Sequence, residues 1–149
     1  FTYAEIFELI KMNRLWTGYN MVKQFMEPDG NLKSFGNICW FTNLFTNKRQ
    51  EELILTKDYN PIDYPTYENY NAIEVGKVIN IPKNYDGIMG VPITFIDKYN
   101  PNQFVIIGHT HSGDNSPEVE AIRTDNNHRH GGFINGKEKY MRVLIRRKK

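Results

Sequence analysis

Cysteine is almost absent from this chain of 149 residues, since Cys39 is the only one. A single cysteine excludes an intramolecular disulfide framework and fits a reducing cytosol, so we expect a cytoplasmic protein. Cys39 lies in an apolar run, where a buried and unreactive thiol is expected. Long apolar runs are also missing. No stretch approaches the ~18 apolar residues that span a bilayer and no signal peptide is visible, so we expect no membrane contact.

An excess of either sign of charge is also missing, because 19 Lys and Arg against 17 Asp and Glu leave a net charge of only +2. This value does not diagnose a nucleic-acid-binding protein. The positive charge is nevertheless uneven, and the C-terminal end is crowded with Arg142, Arg146, Arg147, Lys148 and Lys149. From charge alone, a solvated tail explains this cluster slightly better than a binding surface does.

Apolar residues make up 40% of the chain and aromatic residues 13%, which is typical of a globular protein with a real core. The length suits one domain better than two. The chain begins with Phe1 rather than Met, so we expect that residues precede it in the intact protein.

The first segment predicts a helix. Thr2 and Glu5 form an S/T-x-x-E capping box, and Ile6, Phe7 and Ile10 follow with the spacing of one buried helical stripe. We expect the helix to end at Asn13.

Two strands and a loop are predicted next. Residues 15–19 predict a short strand, and residues 26–36 a polar loop rich in turn formers. Residues 37–44 are apolar on both alternating faces, so they predict a strand covered on both sides and paired antiparallel with the first. Residues 53–56 either extend this pairing or begin another. Trp16 and Trp40 lie in these strands, where core packing is the better interpretation.

The second part of the chain predicts three strands, a loop-rich stretch and a last strand. Pro92 limits its strand to a sheet edge or a strand start, because proline donates no backbone hydrogen bond. The last strand presents Arg142 and Arg146 on the same side. The predicted ranges are strands at 72–78, 91–95, 104–108 and 140–147, with the loop-rich stretch at 109–138.

Tyrosines are concentrated between residues 58 and 70, where two prolines interrupt any period. We interpret this stretch as an extended connection laid over the surface. Exposed stacking on DNA and simple anchoring of the loop explain its rings about equally well. The rings belong to Tyr59, Tyr64, Tyr67 and Tyr70.

Five blocks in order resemble the C-terminal region of the EcoRI-type adenine-specific DNA methyltransferases. The most specific is DGIMGVPITFIDKYNPNQFVIIG at residues 86–108, and the last is YMRVLIRR at residues 140–147. The others are TYAEIFELIKMNRLWTG, GNICWFTNL with the basic pair Lys48-Arg49 just beyond, and YPTYENYNA. The resemblance implies an α/β (or α+β) fold in which residues 1–56 end the methyltransferase-like core. Residues 57–149 then form a strand- and loop-rich extension packed with that core as one domain.

Two family motifs have no counterpart in this chain. The resemblance implies a glycine-rich S-adenosylmethionine loop and an Asn-Pro-Pro-Tyr/Phe motif, whereas Asn60-Pro61 and Asn100-Pro101 both lack the second proline and the aromatic residue. We therefore expect no catalytic and no cofactor-binding residue here. The intact enzyme would use S-adenosylmethionine for adenine-N6 methylation in a preceding catalytic half, and this chain alone would be inactive.

We therefore expect this chain to complete the sheet of the intact enzyme and to bind double-stranded DNA. Lys and Arg neutralise backbone phosphates, and Arg, Lys and Asn also bind base edges. The candidate DNA-binding residues are Lys48, Arg49, Lys98, Tyr99, Asn100, Arg142, Arg146 and Arg147. A stand-alone nucleic-acid-binding module is the first alternative function.

Histidine provides the second alternative. All four histidines fall in two H-x-H pairs, His109 with His111 and His128 with His130, and carboxylates lie nearby. Imidazole and carboxylate groups bind zinc and manganese, so a metal-dependent hydrolase or nuclease is the less favoured alternative function. The spacing matches no closed zinc pattern.

Overall fold

The computed structural model describes residues 3–19, 24–34, 39–111, 114–125 and 131–149. The chain divides into two compact units, Phe1–Phe45 and Thr46–Lys149. This division precedes the boundary expected after residue 56, and the assignment of the two parts to a core and an extension stays a prediction.

The first unit begins with the predicted helix. Helix α1 spans Tyr3–Lys11 and buries Ile6, Phe7 and Ile10, which confirms the apolar stripe. The helix is closed by Asn13, whose φ of 59° places it in the left-handed region that asparagine tolerates better than most residues. Thr2 of the expected capping box lies outside the described residues.

The strands of the first unit form two small antiparallel sheets. Strand β1 (Trp16–Tyr19) pairs with β4 (Cys39–Thr42), which confirms the expected pairing, and β2 (Gln24–Met26) pairs with β3 (Leu32–Ser34). The second pair corrects the loop predicted at residues 26–36. It was missed because both strands are exposed and carry no alternation of apolar residues.

Strand β4 is not covered on both sides as expected. Trp40 is 44% exposed, and its ring lies across Gly18 of β1, where an added Cβ would lie 2.8 Å from Trp40 Cη2. Trp16 is half-buried. Full core packing is therefore the wrong interpretation for Trp40.

The second unit contains a four-stranded mixed sheet in the order β5-β6-β10-β7. Its strands are β5 (Ile73–Glu74), β6 (Met89–Pro92), β7 (Phe104–His109) and β10 (Arg142–Arg147). Strands β5 and β6 run parallel, and β10 is antiparallel to both of its neighbours. The last strand of the chain therefore lies inside the sheet.

Pro92 corrects two predictions. Strand β6 is an interior strand, and Pro92 is its last residue rather than an edge or a start. Beyond it the chain turns into a 3-10 helix, Ile93–Lys98, which buries Phe95 against Phe104 with ring centroids 5.3 Å apart. The strand predicted at 91–95 thus ends early. Residues 53–56 form no strand.

The tyrosine-rich stretch belongs to the core. Tyr64, Tyr67 and Tyr70 are 6%, 3% and 0% exposed, so an exposed surface connection is the wrong interpretation for these three rings. Tyr67 and Tyr70 pack with Val119 and Leu144 in one hydrophobic cluster. Tyr59 is half-buried, and its ring contacts Tyr64 and Tyr85.

The stretch predicted as a loop contains short elements. Helix α2 (Pro117–Glu120) supplies Val119 to the core, and β8 (Phe133–Ile134) pairs with β9 (Lys137–Glu138). The intervening Asn135-Gly136 has φ values of 51° and 68°, as a two-residue hairpin turn requires. One main helix followed by strands in small sheets confirms the expected α/β class. No helix in the described ranges is long and apolar enough to cross a membrane.

Candidate nucleic-acid interface

Basic residues from three segments converge at one end of the four-stranded sheet. Strand β10 places Arg147 opposite Phe104, the first residue of β7, and the Lys148 N–H donates to the Gln103 carbonyl at 2.9 Å. Lys98 and the turn that follows it lead directly into β7. We call the group Arg49, Lys98, Arg146, Arg147 and Lys148 the basic end.

Arg49 reaches the basic end through a short strap, residues 46–53. A 3-10 turn, Asn47–Gln50, carries Arg49, whose guanidinium lies 5.4 Å from the centroid of the Tyr99 ring. Partial burial lowers the pKa of Arg49, and the Tyr99 hydroxyl opposes this shift. The group nevertheless stays charged at neutral pH. Lys48 occupies the same turn, but its side chain lies outside the described part.

Tyr99 and Asn100 are interior residues of this end. Tyr99 is 6% exposed and packs on Phe95 as well as under Arg49. Asn100 is 1% exposed; its Oδ1 accepts the Asn102 N–H at 2.9 Å and its Nδ2 donates to the Glu51 carbonyl at 3.3 Å. Both side chains thus support the turn, and a contact of either one with DNA stays a prediction.

Most side chains of the basic end are exposed to solvent. Lys98, Arg146 and Lys148 are exposed and Arg147 is half-buried. Across the described ranges, no ion pair or hydrogen bond engages the side chains of Lys98, Arg146 or Arg147. Lys149 differs, because its Nζ lies 3.4 Å from Asp86 Oδ2. Three charged side chains are thus available to an anionic partner.

Arg142 lies at the opposite end of β10 and is paired with a carboxylate. Its Nη2 lies 2.7 Å from Glu74 Oε1, and its Nε donates to the same carboxylate at 3.1 Å. Burial alone would lower the pKa of Arg142, but the hydrogen bonds and charge of Glu74 raise it overall. The Tyr67 hydroxyl donates to Glu74 Oε2, and burial together with this carboxylate raises the pKa of Tyr67.

The histidines form no metal centre within the described ranges. No group of three or more His, Cys, Asp or Glu side chains there could hold a metal ion. The ring centroids of His109 and His111 are 6.1 Å apart. The backbone N–H of His109 donates to Asp114 Oδ2 at 2.8 Å. His128 and His130 lie outside the described residues.

Sequence reasoning did not predict the structural contacts of Gln103, Glu74 and Asp114. Gln103 joins the strap to the basic end, Glu74 holds Arg142, and Asp114 accepts the backbone N–H groups of His109 and Ser116. No local motif marks any of them. A polar residue inside or beside a predicted strand was the only available signal.

The chain is similar to known proteins of one family. It matches the family model described as adenine-specific methyltransferase EcoRI over residues 1–148. It is similar to the Type II methyltransferase M.EcoRI of Escherichia coli, with 38% identity covering 99% of this chain and 47% of that protein.

Two mycoplasma proteins are also similar. The Type II methyltransferase M.MpnI of Mycoplasma pneumoniae is 33% identical and M.MgeORF184P of Mycoplasma genitalium 30% identical, each covering 98% of this chain. The chain spans about half the length of these relatives. No solved structure matches it significantly. A methyltransferase match does not favour the metal-dependent hydrolase.

Proposed function

Because the chain belongs to the family of EcoRI-type adenine-specific methyltransferases, we propose that it is the C-terminal part of a site-specific DNA adenine-N6 methyltransferase. In this proposal it completes the protein's sheet structure and contacts double-stranded DNA, while catalysis and cofactor binding reside in the remaining part of the enzyme. The relatives' names support the reaction type, and their greater length supports the division of labour.

The basic end is the observation that supports DNA binding. The pairing of β7 with β10 brings the turn after Lys98 beside the strand end that carries Arg146 and Arg147, although Lys98 lies far from the two arginines along the chain. None of the three has an ion pair within the described part. Duplex DNA carries one negative charge per ~1.7 Å, so a protein gains affinity by placing cations where they displace the condensed counterions. Cations already paired with carboxylates could not do this without losing those pairs.

Salt-dependent binding tests the proposal. Fluorescence anisotropy of a labelled duplex of about 20 base pairs is measured against the chain between about 50 and 200 mM salt. We expect the logarithm of the binding constant to fall linearly with the logarithm of salt concentration. The variant Lys98→Ala/Arg146→Ala/Arg147→Ala should bind more weakly, with a slope smaller by about three because three phosphate contacts are lost.

The matched control removes three lysines near the other end of the strands, in the variant Lys77→Ala/Lys137→Ala/Lys139→Ala. Lys77 follows β5, and Lys137 and Lys139 precede β10. The net charge changes equally in both variants, so a general charge effect would weaken binding equally. Equal losses in the two variants, or no binding by the unaltered chain at about 50 mM salt, would contradict the proposed interface.

S-adenosylmethionine is the cofactor that the family implies for the intact enzyme. We propose that this chain contributes no part of the cofactor site on its own, because it contains neither the glycine-rich loop nor the Asn-Pro-Pro motif. Isothermal titration calorimetry of the isolated chain should show no heat of binding with S-adenosylmethionine. Binding in the micromolar range would mean that the cofactor site lies within these residues.

Exposed apolar side chains on the first unit indicate a contact with another part of the same enzyme. Several large apolar side chains are exposed on it, although the unit is small, and burying each one would be worth about 1.5–3 kcal/mol. We propose that they pack against the remaining part of the methyltransferase. They are Met12, Met26, Leu32, Leu44 and Phe45, with exposures between 61% and 71%.

A further inference from the structure

The Gln103 side chain makes two hydrogen bonds to the strap that carries Arg49. Its Oε1 accepts the Leu53 N–H at 2.8 Å, and its Nε2 donates to the Leu53 carbonyl at 2.8 Å. Both polar atoms of the amide are thus used on a single residue of the strap. This arrangement imitates the paired hydrogen bonds of neighbouring antiparallel strands.

Gln103 is itself anchored from two sides. Its N–H donates to the Asn100 carbonyl at 3.0 Å, and its carbonyl accepts the Lys148 N–H at 2.9 Å. One residue therefore joins the strap, the turn after Lys98 and the C-terminal basic segment. These are the three segments that supply the basic end.

After its 3-10 turn the strap continues into a segment without regular secondary structure. Residues 51–56 belong to no helix or strand, and Ile54 is 87% exposed. Another hydrogen bond to the strap, from Asn100 Nδ2 to the Glu51 carbonyl, is long at 3.3 Å. Loss of the Gln103 amide would remove the two short hydrogen bonds that it makes with Leu53.

We propose that Gln103 is a positioning residue for DNA binding, which fixes the strap so that Arg49 is held at the basic end against a backbone phosphate. The inference rests on the proposed function of the basic end. Gln103 itself makes no contact with DNA; its effect passes entirely through Arg49. Ordering a long cationic side chain before binding reduces the conformational entropy lost when the phosphate is bound.

A double-mutant cycle tests this role. Arg49→Ala should reduce the slope of log binding constant against log salt concentration by about one, because one phosphate contact is lost. Gln103→Ala should produce a similar loss of affinity and a similar fall in slope. The variant carrying both changes should bind no more weakly than Arg49→Ala alone, whereas Gln103→Ala combined with Arg147→Ala should show additive losses.

Asn69 provides a matched control for a purely structural effect. It is 1% exposed, its Nδ2 donates to the Gly131 carbonyl and its Oδ1 accepts the Phe133 N–H, both at 2.9 Å. Asn69→Ala therefore also removes a side-chain amide that clamps a distant segment. We expect it to lower the denaturation midpoint without changing the salt slope of DNA binding.

Three results would overturn the inference. They are additive losses for Arg49→Ala and Gln103→Ala, an unchanged slope in Gln103→Ala, or an equal fall of slope in Asn69→Ala. The failure of the proposed function is a separate result, namely the absence of salt-dependent DNA binding by the unaltered chain. A chain that binds DNA with additive variants would keep the proposed function and lose only the role of Gln103.

Discussion

Glu74 and Arg142 form a bidentate ion pair although they belong to strands that are not neighbours. Glu74 lies on β5 and Arg142 on β10, with β6 between them, yet Arg142 Nη2 lies 2.7 Å from Glu74 Oε1. The side chains reach each other across Gly90, the residue of β6 that pairs with Glu74. Tyr67 covers Gly90 and donates its hydroxyl hydrogen bond to the same carboxylate.

Gly90→Ala should destabilise the second unit by about 1–3 kcal/mol, as other overpacked cores are destabilised. A Cβ at this position would lie 2.9 Å from Tyr67 Cε2 and Cζ and closer still to the hydroxyl oxygen. Urea denaturation followed by circular dichroism measures the effect. Gly76→Ala is the control, because nothing lies within 4 Å of a Cβ there. Equal midpoints for Gly90→Ala and the unaltered chain would contradict the close packing of Tyr67.

Tyr67→Phe should relieve part of that clash. Alone, the substitution removes the hydrogen bond to the buried Glu74 carboxylate and should cost about 1.5–3 kcal/mol, as for other hydrogen bonds to charged groups. In Gly90→Ala/Tyr67→Phe the atom nearest the new methyl group is gone, so the double variant should be more stable than additive losses predict. Strict additivity in the same denaturation assay would mean that the hydroxyl does not limit residue 90.

The Asp114 carboxylate predicts an acid-dependent loss of stability. Burial would raise its pKa, but hydrogen bonds from Ser116 and His109 and the charge of His109 lower it overall below the ordinary value of 3.8. A carboxyl whose pKa is lower in the folded state stabilises that state above its ordinary pKa. This contribution is lost as the pH falls below 3.8 toward the folded-state value.

Asp114→Asn should therefore be less stable than the unaltered chain at neutral pH. An uncharged amide oxygen can accept from either backbone N–H, but it gives weaker bonds than the carboxylate does. The stability difference should be present at about pH 6 and should shrink at about pH 3, measured by urea denaturation at each pH. Asp86→Asn at an exposed position is the control. A difference that stays constant with pH would contradict the lowered pKa.

Local patterns predicted the parts of this fold that depend on near neighbours. The spacing of Ile6, Phe7 and Ile10 gave the buried face of α1, and Asn13 gave its end. Burial of Tyr67 and Tyr70 could not be predicted in this way. Their packing depends on Val119 and Leu144, which lie far along the chain. The prediction that Pro92 marks a sheet edge or a strand start was wrong, because its missing N–H is harmless at the last residue of an interior strand.

The candidate interface was predicted by residue type but not by arrangement. The terminal arginines and the turn after Lys98 were both identified from charge and turn formers, whereas their meeting depends on the pairing of β7 with β10. Strand alternation alone also grouped Arg142 with Arg146. A register shift between Leu144 and Ile145 and the distant carboxylate of Glu74 give the two arginines different surroundings.

Arg142 and Arg146 should consequently show opposite phenotypes when each is changed to Gln. Arg142→Gln leaves the Glu74 carboxylate buried with a weaker partner, so it should destabilise the second unit by up to about 3–5 kcal/mol, the usual cost of breaking a buried ion pair. Arg146 is exposed, so Arg146→Gln should change stability by less than about 0.5 kcal/mol. It should nevertheless lower the salt slope of DNA binding by about one.

Denaturation midpoints and anisotropy titrations, the latter at a temperature where both variants are folded, separate the two effects. A fall of the salt slope in folded Arg142→Gln, with none in Arg146→Gln, would mean that DNA binds at the Arg142 end of the sheet instead.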